Sequence, residues 1–239
     1  MRRVQGTTLE LLDGPLDDRE ALRGNLRDLR RINRWLGGTA ISRDAVQLLL
    51  TGDKHPVSML DVGTGAVDIP VAILDAVEGR GRDLRAVALD SRPEILEAAR
   101  QLDPRLDLRR DLQLESADGR ALPYPDHSFD VVHASLVLHH LEPNEAVAFL
   151  REARRVARRG VVINDLVRGR AAWLGALLLT RVTTTNRLTR HDAPLSVQRA
   201  YTRMELRALL ASAGLRPISE FEAFFGHRVA FAATAIPDA

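Results

Sequence analysis

An acid and two glycines directly follow a short apolar run, and this stretch is the one best suited to bind a ligand. The run begins at Met59 and ends in Asp61. Gly63 and Gly65 come next, and Asp68 then opens a helix as its N-cap. Glycines let the backbone approach a ligand closely and adopt positive φ. In an open α/β sheet such a turn lies at the carboxyl end of the first strand, where nucleotide-like ligands bind.

Two phosphate-binding motifs do not fit this turn. A dinucleotide site requires G-x-G-x-x-G, but Asp68 occupies the place of the third glycine. A phosphate loop ends in G-K followed by serine or threonine, but Lys54, the only lysine in the chain, precedes the turn. The remaining pattern, an acid before a glycine turn, suits a ligand that carries a cationic amino acid tail and a ribose instead of a pyrophosphate.

Two further acids follow predicted strands at comparable places. Asp90 ends an apolar run, and Ser91 begins an S-x-x-E capping box that starts the next helix. An acid after the second strand can accept hydrogen bonds from both hydroxyls of a ribose, although it can also be a simple turn residue. Asp118 and Gly119 follow the predicted third strand, Leu112 to Ser116.

The spacing of these residues resembles the class I S-adenosylmethionine-dependent methyltransferases, in particular the branch that acts on quinones and polyketides. The segment from Pro125 to Leu141, P-D-H-S-F-D-V-V-H-A-S-L-V-L-H-H-L, is similar to the fourth strand of that family and its continuation. The resemblance extends well over residues 57–165, although Val67 stands where many members carry a third glycine. It implies S-adenosylmethionine as cofactor and S-adenosylhomocysteine as product. The implied cofactor-binding residues are Asp61, Gly63, Gly65, Asp68, Asp90, Ser91, Asp118, Gly119 and Ala134.

The alternation of strands and helices from Met59 onward predicts a parallel sheet with helices on both faces. The resemblance implies a Rossmann-like α/β fold with a seven-stranded sheet in the order 3-2-1-4-5-7-6, whose last strand is antiparallel. We expect residues 57–239 to form the cofactor-binding domain and residues 1–56 an N-terminal helical cap. Residues 170–202 are expected to form a helical insertion on the substrate side, after strand five.

Periodicity and turn residues also predict where individual elements begin and end. Two adjacent glycines are expected to end a first helix, and Ser42 to cap a second one. The L-H-H-L segment is placed on a helix. A helix from Glu145 to Arg159 is expected to stop at Gly160, just before strand five. In the insertion, an apolar helix over residues 171–180 is expected to precede a polar loop.

Three histidines are candidate catalytic residues. His139 and His140 follow strand four, and a histidine there can remove a phenol or enol proton because it titrates near neutrality. Adjacent positions on a helix point about 100° apart, so we expect only one of them to face the pocket and the other to pack. The pair lacks the i, i+4 spacing of helical metal ligands, so we expect no metal site. His191 is followed by Asp192, which could fix its tautomer, although sequence neighbours rarely pair in this way.

The residues expected to contact a substrate come from the cap and from the region after strand five. The N-terminal helices either pack on the sheet edge or form a lid over the site. An acid and an arginine after strand five either face the substrate or form a loop salt bridge. The candidate substrate-binding residues are Asn33, Trp35, Asp165, Arg168, Arg190 and Tyr201.

The composition excludes several classes of protein. With 45% hydrophobic and 28% charged residues the chain is globular, and the lack of cysteine excludes disulfides and thiol nucleophiles. A net charge of only +2 gives little reason to expect a nucleic acid partner. The N-terminus lacks a signal-peptide core, and the longest apolar stretch, Ala171 to Thr180, is far shorter than the about 20 residues of a bilayer span. We expect a cytoplasmic monomer or homodimer.

The resemblance implies transfer of a methyl group to an oxygen, or to an activated carbon, of a small acceptor. The apolar insertion indicates a fairly hydrophobic acceptor such as an aromatic, a quinone or a polyketide. Three alternatives stay open: an RNA or protein methyltransferase with the same core, an NAD-binding oxidoreductase, and a non-catalytic cofactor-binding protein. The first lacks a separate binding module in this sequence, and the second lacks the third glycine and a Tyr-x-x-x-Lys pair.

Overall fold

The structure is a computed structural model that describes residues 1, 3, 4, 9–51 and 56–237. The strands found there are β1 (Val57–Val62), β2 (Leu84–Asp90), β3 (Leu112–Ser116), β4 (Phe129–Ser135), β5 (Ala157–Leu166), β6 (Leu215–Glu222) and β7 (Arg228–Ala235). The α-helices are α1 (Arg19–Trp35), α2 (Gly38–Leu49), α3 (Asp68–Glu78), α4 (Pro93–Leu102), α5 (Pro143–Val156), α6 (Arg170–Thr183), α7 (Arg187–Arg199) and α8 (Arg203–Ser212). Short 3-10 helices lie at Leu11–Asp13, Pro104–Leu108, Leu138–His140 and Phe224–Gly226.

The strands form one sheet in the order β3-β2-β1-β4-β5-β7-β6, which confirms the predicted fold class. Neighbouring strands from β3 to β5 are parallel, and β7 is antiparallel to both β5 and β6. The carboxyl ends of the parallel strands therefore meet at one edge. Asp61 and Asp90 lie at the ends of β1 and β2 on this edge.

The sheet is covered on both faces because successive side chains of a buried strand point to opposite sides. On β1, Met59 packs into the apolar layer shared with α2 and α3, and Leu60 packs into the opposite layer with α5 and α8. Val131 and Val132 alternate in the same way on β4. All four side chains are fully buried. At about 1.5–3 kcal/mol for each large apolar side chain, these layers dominate the stability of the fold.

The boundaries of the N-terminal helices differ from the prediction. Gly37 adopts a φ of 86° and directly precedes α2, which begins at Gly38. Ser42 therefore lies inside α2, where its side chain is fully buried, and does not cap the helix. The turn between α1 and α2 is tighter than predicted because a single left-handed glycine suffices to reverse the chain.

Three later assignments were also wrong. The L-H-H-L segment forms a single 3-10 turn. Helix α5 ends at Val156, and Gly160 lies inside β5, where an added Cβ would be 2.5 Å from the carbonyl oxygen of Ala233. The segment after α6 is the helix α7, capped by Asn186, whose side chain accepts from two backbone N–H groups. Packing of α7 against α1 and α6 overrides its polar composition.

The N-terminal helices pack directly on the remainder of the chain. Helix α1 contacts α4 and α7, and α2 contacts α3, β5 and β7. The division into a cap and a domain at residue 56 stays a prediction, and Lys54 lies outside the described residues. Within the described ranges, the helices are all too short or too polar to cross a bilayer.

Candidate functional site

A cavity of about 840 Å³ opens at the carboxyl edge of the parallel strands. This volume lies in the upper part of the usual range for small-molecule sites. One end is formed by the glycine turn after β1 and by the ends of β2 and β4. The other end is formed by α1, α6 and α7. The cavity therefore has a polar end built on the sheet and a second end built on helices.

The glycine turn is held close to its neighbours. Gly63 adopts a φ of 72°, and a Cβ there would lie 2.5 Å from Cγ2 of Val137. The Asp90 carboxylate accepts hydrogen bonds from the backbone N–H groups of Gly65 and Arg92, each at 3.1 Å. Burial raises the pKa of Asp90, although these two hydrogen bonds oppose that effect. Asp90 thus fixes the turn and keeps free lone pairs on the cavity side.

The polar end fits a ligand with a ribose and an amino acid tail. Gly65 has a φ of 56° and open space where a Cβ would stand. The buried hydroxyl of Thr64, which also lines the cavity, has no hydrogen-bond partner among the described residues. A Cβ on Gly119 would lie 2.6 Å from Cγ1 of Val62, so the loop after β3 approaches the turn only because this residue is glycine. Asp118 lines the same end and pairs with Arg120 at 2.9 Å.

Asp61 is the first member of a buried polar network that the sequence did not reveal. Its carboxylate is hydrogen-bonded to Nδ1 of His133 on β4, which pairs with it in register. Nε2 of His133 lies 2.8 Å from Oγ of Ser42 on α2. Oγ of Ser42 in turn accepts from the side-chain amide of Asn164 at 2.6 Å. The acid of the glycine turn is therefore connected to the N-terminal helices through the sheet.

Arg228 continues this network toward the cavity. Its guanidinium donates to Asn164 at 2.6 Å, to Asn33 at 2.7 Å and to the Ser135 hydroxyl at 2.5 Å. Asn33 donates to Asp68 at 3.1 Å. Burial lowers the pKa of Arg228 to about 10, although the nearby carboxylates of Asp165 and Asp68 oppose this shift. Burial also raises the pKa of Asp68. We refer to these hydrogen-bonded residues as the polar network, which consists of Asp61, His133, Ser42, Asn164, Arg228, Ser135, Asn33 and Asp68.

The two adjacent histidines both reach the cavity, contrary to the expectation that only one would. The two residues lie in a single 3-10 turn, and their ring centroids are 4.3 Å apart. Nδ1 of His139 lies 2.7 Å from Asp165, and Nδ1 of His140 lies 3.0 Å from Asp13. Burial lowers the pKa of His140, but the hydrogen bond to Asp13 and the nearby carboxylates outweigh it and raise the pKa to about 9. Glu10, which the sequence reasoning missed, faces both rings.

The structure places several predicted site residues away from the cavity wall. Trp35 is 67% exposed, and His191 is half exposed and 2.7 Å from Asp192, so this sequence-adjacent pair does form. Arg168 binds Glu205, which is the loop salt bridge kept as the alternative. The residues that do not line the cavity are Trp35, Ala134, Asp165, Arg168, Arg190, His191 and Tyr201.

Some of these residues instead hold parts of the site in place. Arg190 donates to the backbone carbonyls of Thr184 and Arg181, which closes the turn between α6 and α7. Tyr201 donates to the carbonyl of Leu141 at 2.7 Å, next to the histidine turn. These side chains were predicted to contact a substrate because the sequence shows their neighbourhood and not their direction.

The helical end of the cavity is mainly apolar on the sides formed by α1 and α6, whereas α7 also contributes Thr189, Asp192 and Ser196. Helix α1 presents Leu26, Leu29 and Ile32 to the cavity, and its C-cap residue Leu36 lines the cavity as well. Helix α6 presents a row of small residues and one leucine, Ala171, Ala172, Gly175, Ala176 and Leu179. The lining from α1 supports the lid predicted for the N-terminal helices, and Asn25 and Asn33 are its polar members. This end suits a flat or elongated hydrophobic molecule.

Comparisons with known proteins agree with this geometry. Residues 60–163 match a family described as a methyltransferase domain. The chain is 30% identical over 111 residues to ajmaline N-methyltransferase of Rauvolfia serpentina, which is 46% of this chain and 36% of that protein. It is 31% identical over 101 residues to the ubiquinone/menaquinone biosynthesis C-methyltransferase of Rickettsia akari (strain Hartford), which is 42% of this chain and 40% of that protein. The chain therefore spans about two fifths of the length of these relatives.

Solved structures share the fold. The mitomycin 7-O-methyltransferase MmcR superposes with a TM-score of 0.60 at 22% identity, over 90% of this chain and 60% of that one. At this identity the likeness concerns the fold alone.

Proposed function

We propose that the chain, whose residues 60–163 match a methyltransferase domain, is a class I S-adenosylmethionine-dependent methyltransferase that methylates a small, hydrophobic acceptor on oxygen or on an activated carbon. The observation that carries this proposal is one cavity with two unlike ends. The polar end fits the cofactor of this family, and the apolar end is open to a second molecule. Both ligands can therefore meet inside one cavity.

The cofactor supplies an activated methyl group, so the protein has to orient the acceptor and exclude water. We assign the ribose to Asp90 and the adenine side to Asp118 and Gly119. The amino acid tail is assigned to Asp61 and the glycine turn, next to the orphaned Thr64 hydroxyl. These residues lie on strand ends and on turns fixed by close packing, which keeps the cofactor in one position.

The apolar wall supports an aromatic, quinone or polyketide acceptor. The residues from α1 and α6 offer area for dispersion contacts and few hydrogen-bonding groups. A hydroxyl or an activated carbon must lose a proton during methylation, and His139 is the cavity group suited to accept it, with the His140 side chain beside it. A nitrogen acceptor, as in the alkaloid relative, would carry its own lone pair and would leave the histidines without this task.

The first experiment is calorimetric titration with S-adenosylhomocysteine. Asp90→Asn removes the charge at one end of β2, and Asp83→Asn makes the same change next to the other end of that strand. We expect Asp90→Asn to weaken binding by at least about tenfold, because a hydrogen bond to a charged group contributes about 1.5–3 kcal/mol. Asp83→Asn should bind as the wild type does.

Absence of binding to the wild-type protein would refute the proposal, and equal binding by both variants would refute the ribose assignment. Once binding is established, phenols, quinones and hydroxylated polyketides should be screened for methylation with a secondary amine as comparison. Methylation of RNA or protein, and of none of these, would favour the alternative substrate class.

A further inference from the structure

Three groups that can donate an electron pair to a metal ion converge at the histidine turn, namely Glu10, His139 and His140. Nε2 of His139 lies 3.8 Å from Oε1 of Glu10, and Nε2 of His140 lies 4.0 Å from Oε2. One donor atom of each residue lies within 4.8 Å of the other two. All three residues line the cavity. Glu10 is 96% buried by residue area, since only 4% of its surface is exposed.

The remaining ring nitrogens fix how these histidines are protonated. Nδ1 of His139 faces Asp165 at 2.7 Å, and Nδ1 of His140 faces Asp13 at 3.0 Å. A carboxylate accepts, so each Nδ1 carries a hydrogen, and a metal ion that displaces the proton from Nε2 would meet a lone pair there. Histidines that bind metal ions are oriented by carboxylates in this way. Arg199 additionally donates to the backbone carbonyls of both histidines, which holds the turn.

The distances argue for an ion between these atoms. Oε1 of Glu10 is buried without a hydrogen-bond partner in the described part of the chain, which is costly for a carboxylate. Separations of 3.8 and 4.0 Å are too long for hydrogen bonds from protonated rings. Atoms that share a metal ion at about 2.0–2.2 Å stand roughly 3–4 Å apart, which matches this gap. Three carboxylates around two histidines also favour a divalent cation over a monovalent one.

We propose that Glu10, His139 and His140 bind a divalent transition-metal ion at the cavity wall. Two imidazoles and one carboxylate suit zinc, iron or cobalt, and three protein ligands leave a position open toward the cavity. The sequence did not indicate this site, because Glu10 is far from the histidines along the chain and because the histidines were predicted to lie on an α-helix.

An ion in this position would bind an acceptor oxygen and favour loss of its proton, which gives the two histidines their role in the reaction. This consequence rests on the proposed function, whereas the binding of the ion does not. The two can therefore be tested separately, with the metal site as the subject of the first measurement.

The test is titration of chelator-treated protein with Co²⁺, followed by visible absorption, with Zn²⁺ as competitor. We expect one Co²⁺ for each chain, d–d absorption bands, and their loss when Zn²⁺ is added. Glu10→Gln should abolish the bands, and Asp13→Asn, which leaves all three ligands in place, should weaken binding by about 10–100-fold. The control is His191→Asn, an exposed histidine outside the cavity that should leave the titration unchanged.

Circular dichroism and titration with S-adenosylhomocysteine show whether each variant is folded. Failure of the wild type to produce the bands would overturn the inference, and so would equal bands in wild type and folded Glu10→Gln. If Glu10→Gln does not fold, the Asp13→Asn variant decides the test. A Co²⁺ affinity of Asp13→Asn equal to that of the wild type would then overturn the inference. If the wild-type protein binds S-adenosylhomocysteine but not Co²⁺, the metal site is excluded and the proposed function is retained.

Discussion

Replacing Arg228 tests the polar network most directly. The Arg228 guanidinium is 2% exposed and donates to three acceptors, Asn164, Asn33 and Ser135. Arg228→Met keeps most of the stem volume and removes these donors. Through Asn164, which also donates to the carbonyl of Gly38 at 2.9 Å, the change reaches the start of α2.

The magnitude follows from the burial of these partners. A buried acceptor that loses its donor costs about 1–3 kcal/mol. Removal of the guanidinium also removes the cost of burying its charge, which offsets part of the lost free energy of unfolding. We expect a net decrease in the free energy of unfolding of about 3–5 kcal/mol, the usual range when one partner of a buried charged cluster is removed.

The measurement is urea unfolding of both proteins with comparison of midpoint and slope. The control is Arg207→Met, because the Arg207 side chain is 61% exposed and contacts Glu220 at the surface. An exposed ion pair contributes about 0–1 kcal/mol, so the control should shift little. A loss of less than about 1 kcal/mol in Arg228→Met would refute the view that this residue anchors the N-terminal helices.

Two further predictions concern the cofactor end. Gly63→Ala should weaken S-adenosylhomocysteine binding by about tenfold or more, because its Cβ would overlap Val137. Gly81→Ala, with a φ of 69° and open space around the Cβ, should bind normally, and equal loss in both would contradict the steric argument. Because burial raises the pKa of Asp90 and ribose hydroxyls donate to its ionised form, affinity should fall as pH decreases from neutrality toward about 4. Calorimetry across this range should show a flatter profile for Asp90→Asn, and identical profiles would exclude Asp90 as the titrating group.

The local sequence pattern was sufficient to predict features that depend on only a few neighbouring residues. The glycine turn and Asp90 are each defined within a few residues, and the family resemblance implied the sheet order that the structure has. The capping box predicted at Ser91 does not form, because Arg92 is the N-cap of α4 and has no side-chain cap. Helix α5 and β5 were misplaced because a glycine that reads as a stop signal can equally serve a strand that approaches a neighbour closely.

The contents of the site were harder to predict than its location. Trp35, Arg168 and Tyr201 belong to the right regions, but side-chain direction depends on packing that composition does not encode. Helix α7 was read as a loop since its polar residues gain their helical state from contacts with α1 and α6.

The sequence by itself determined the polar end of the cavity, because an acid, a glycine turn and a second acid follow strands whose carboxyl ends meet at one edge. The tertiary structure alone decided which distant residues complete the site. Glu10 reaches His139 and His140, and Arg228 joins Asn33 to Asn164, across separations that no local pattern spans. The physical reason is that burial forces charged and polar groups to find partners, and the folded chain offers those partners irrespective of their order in the sequence.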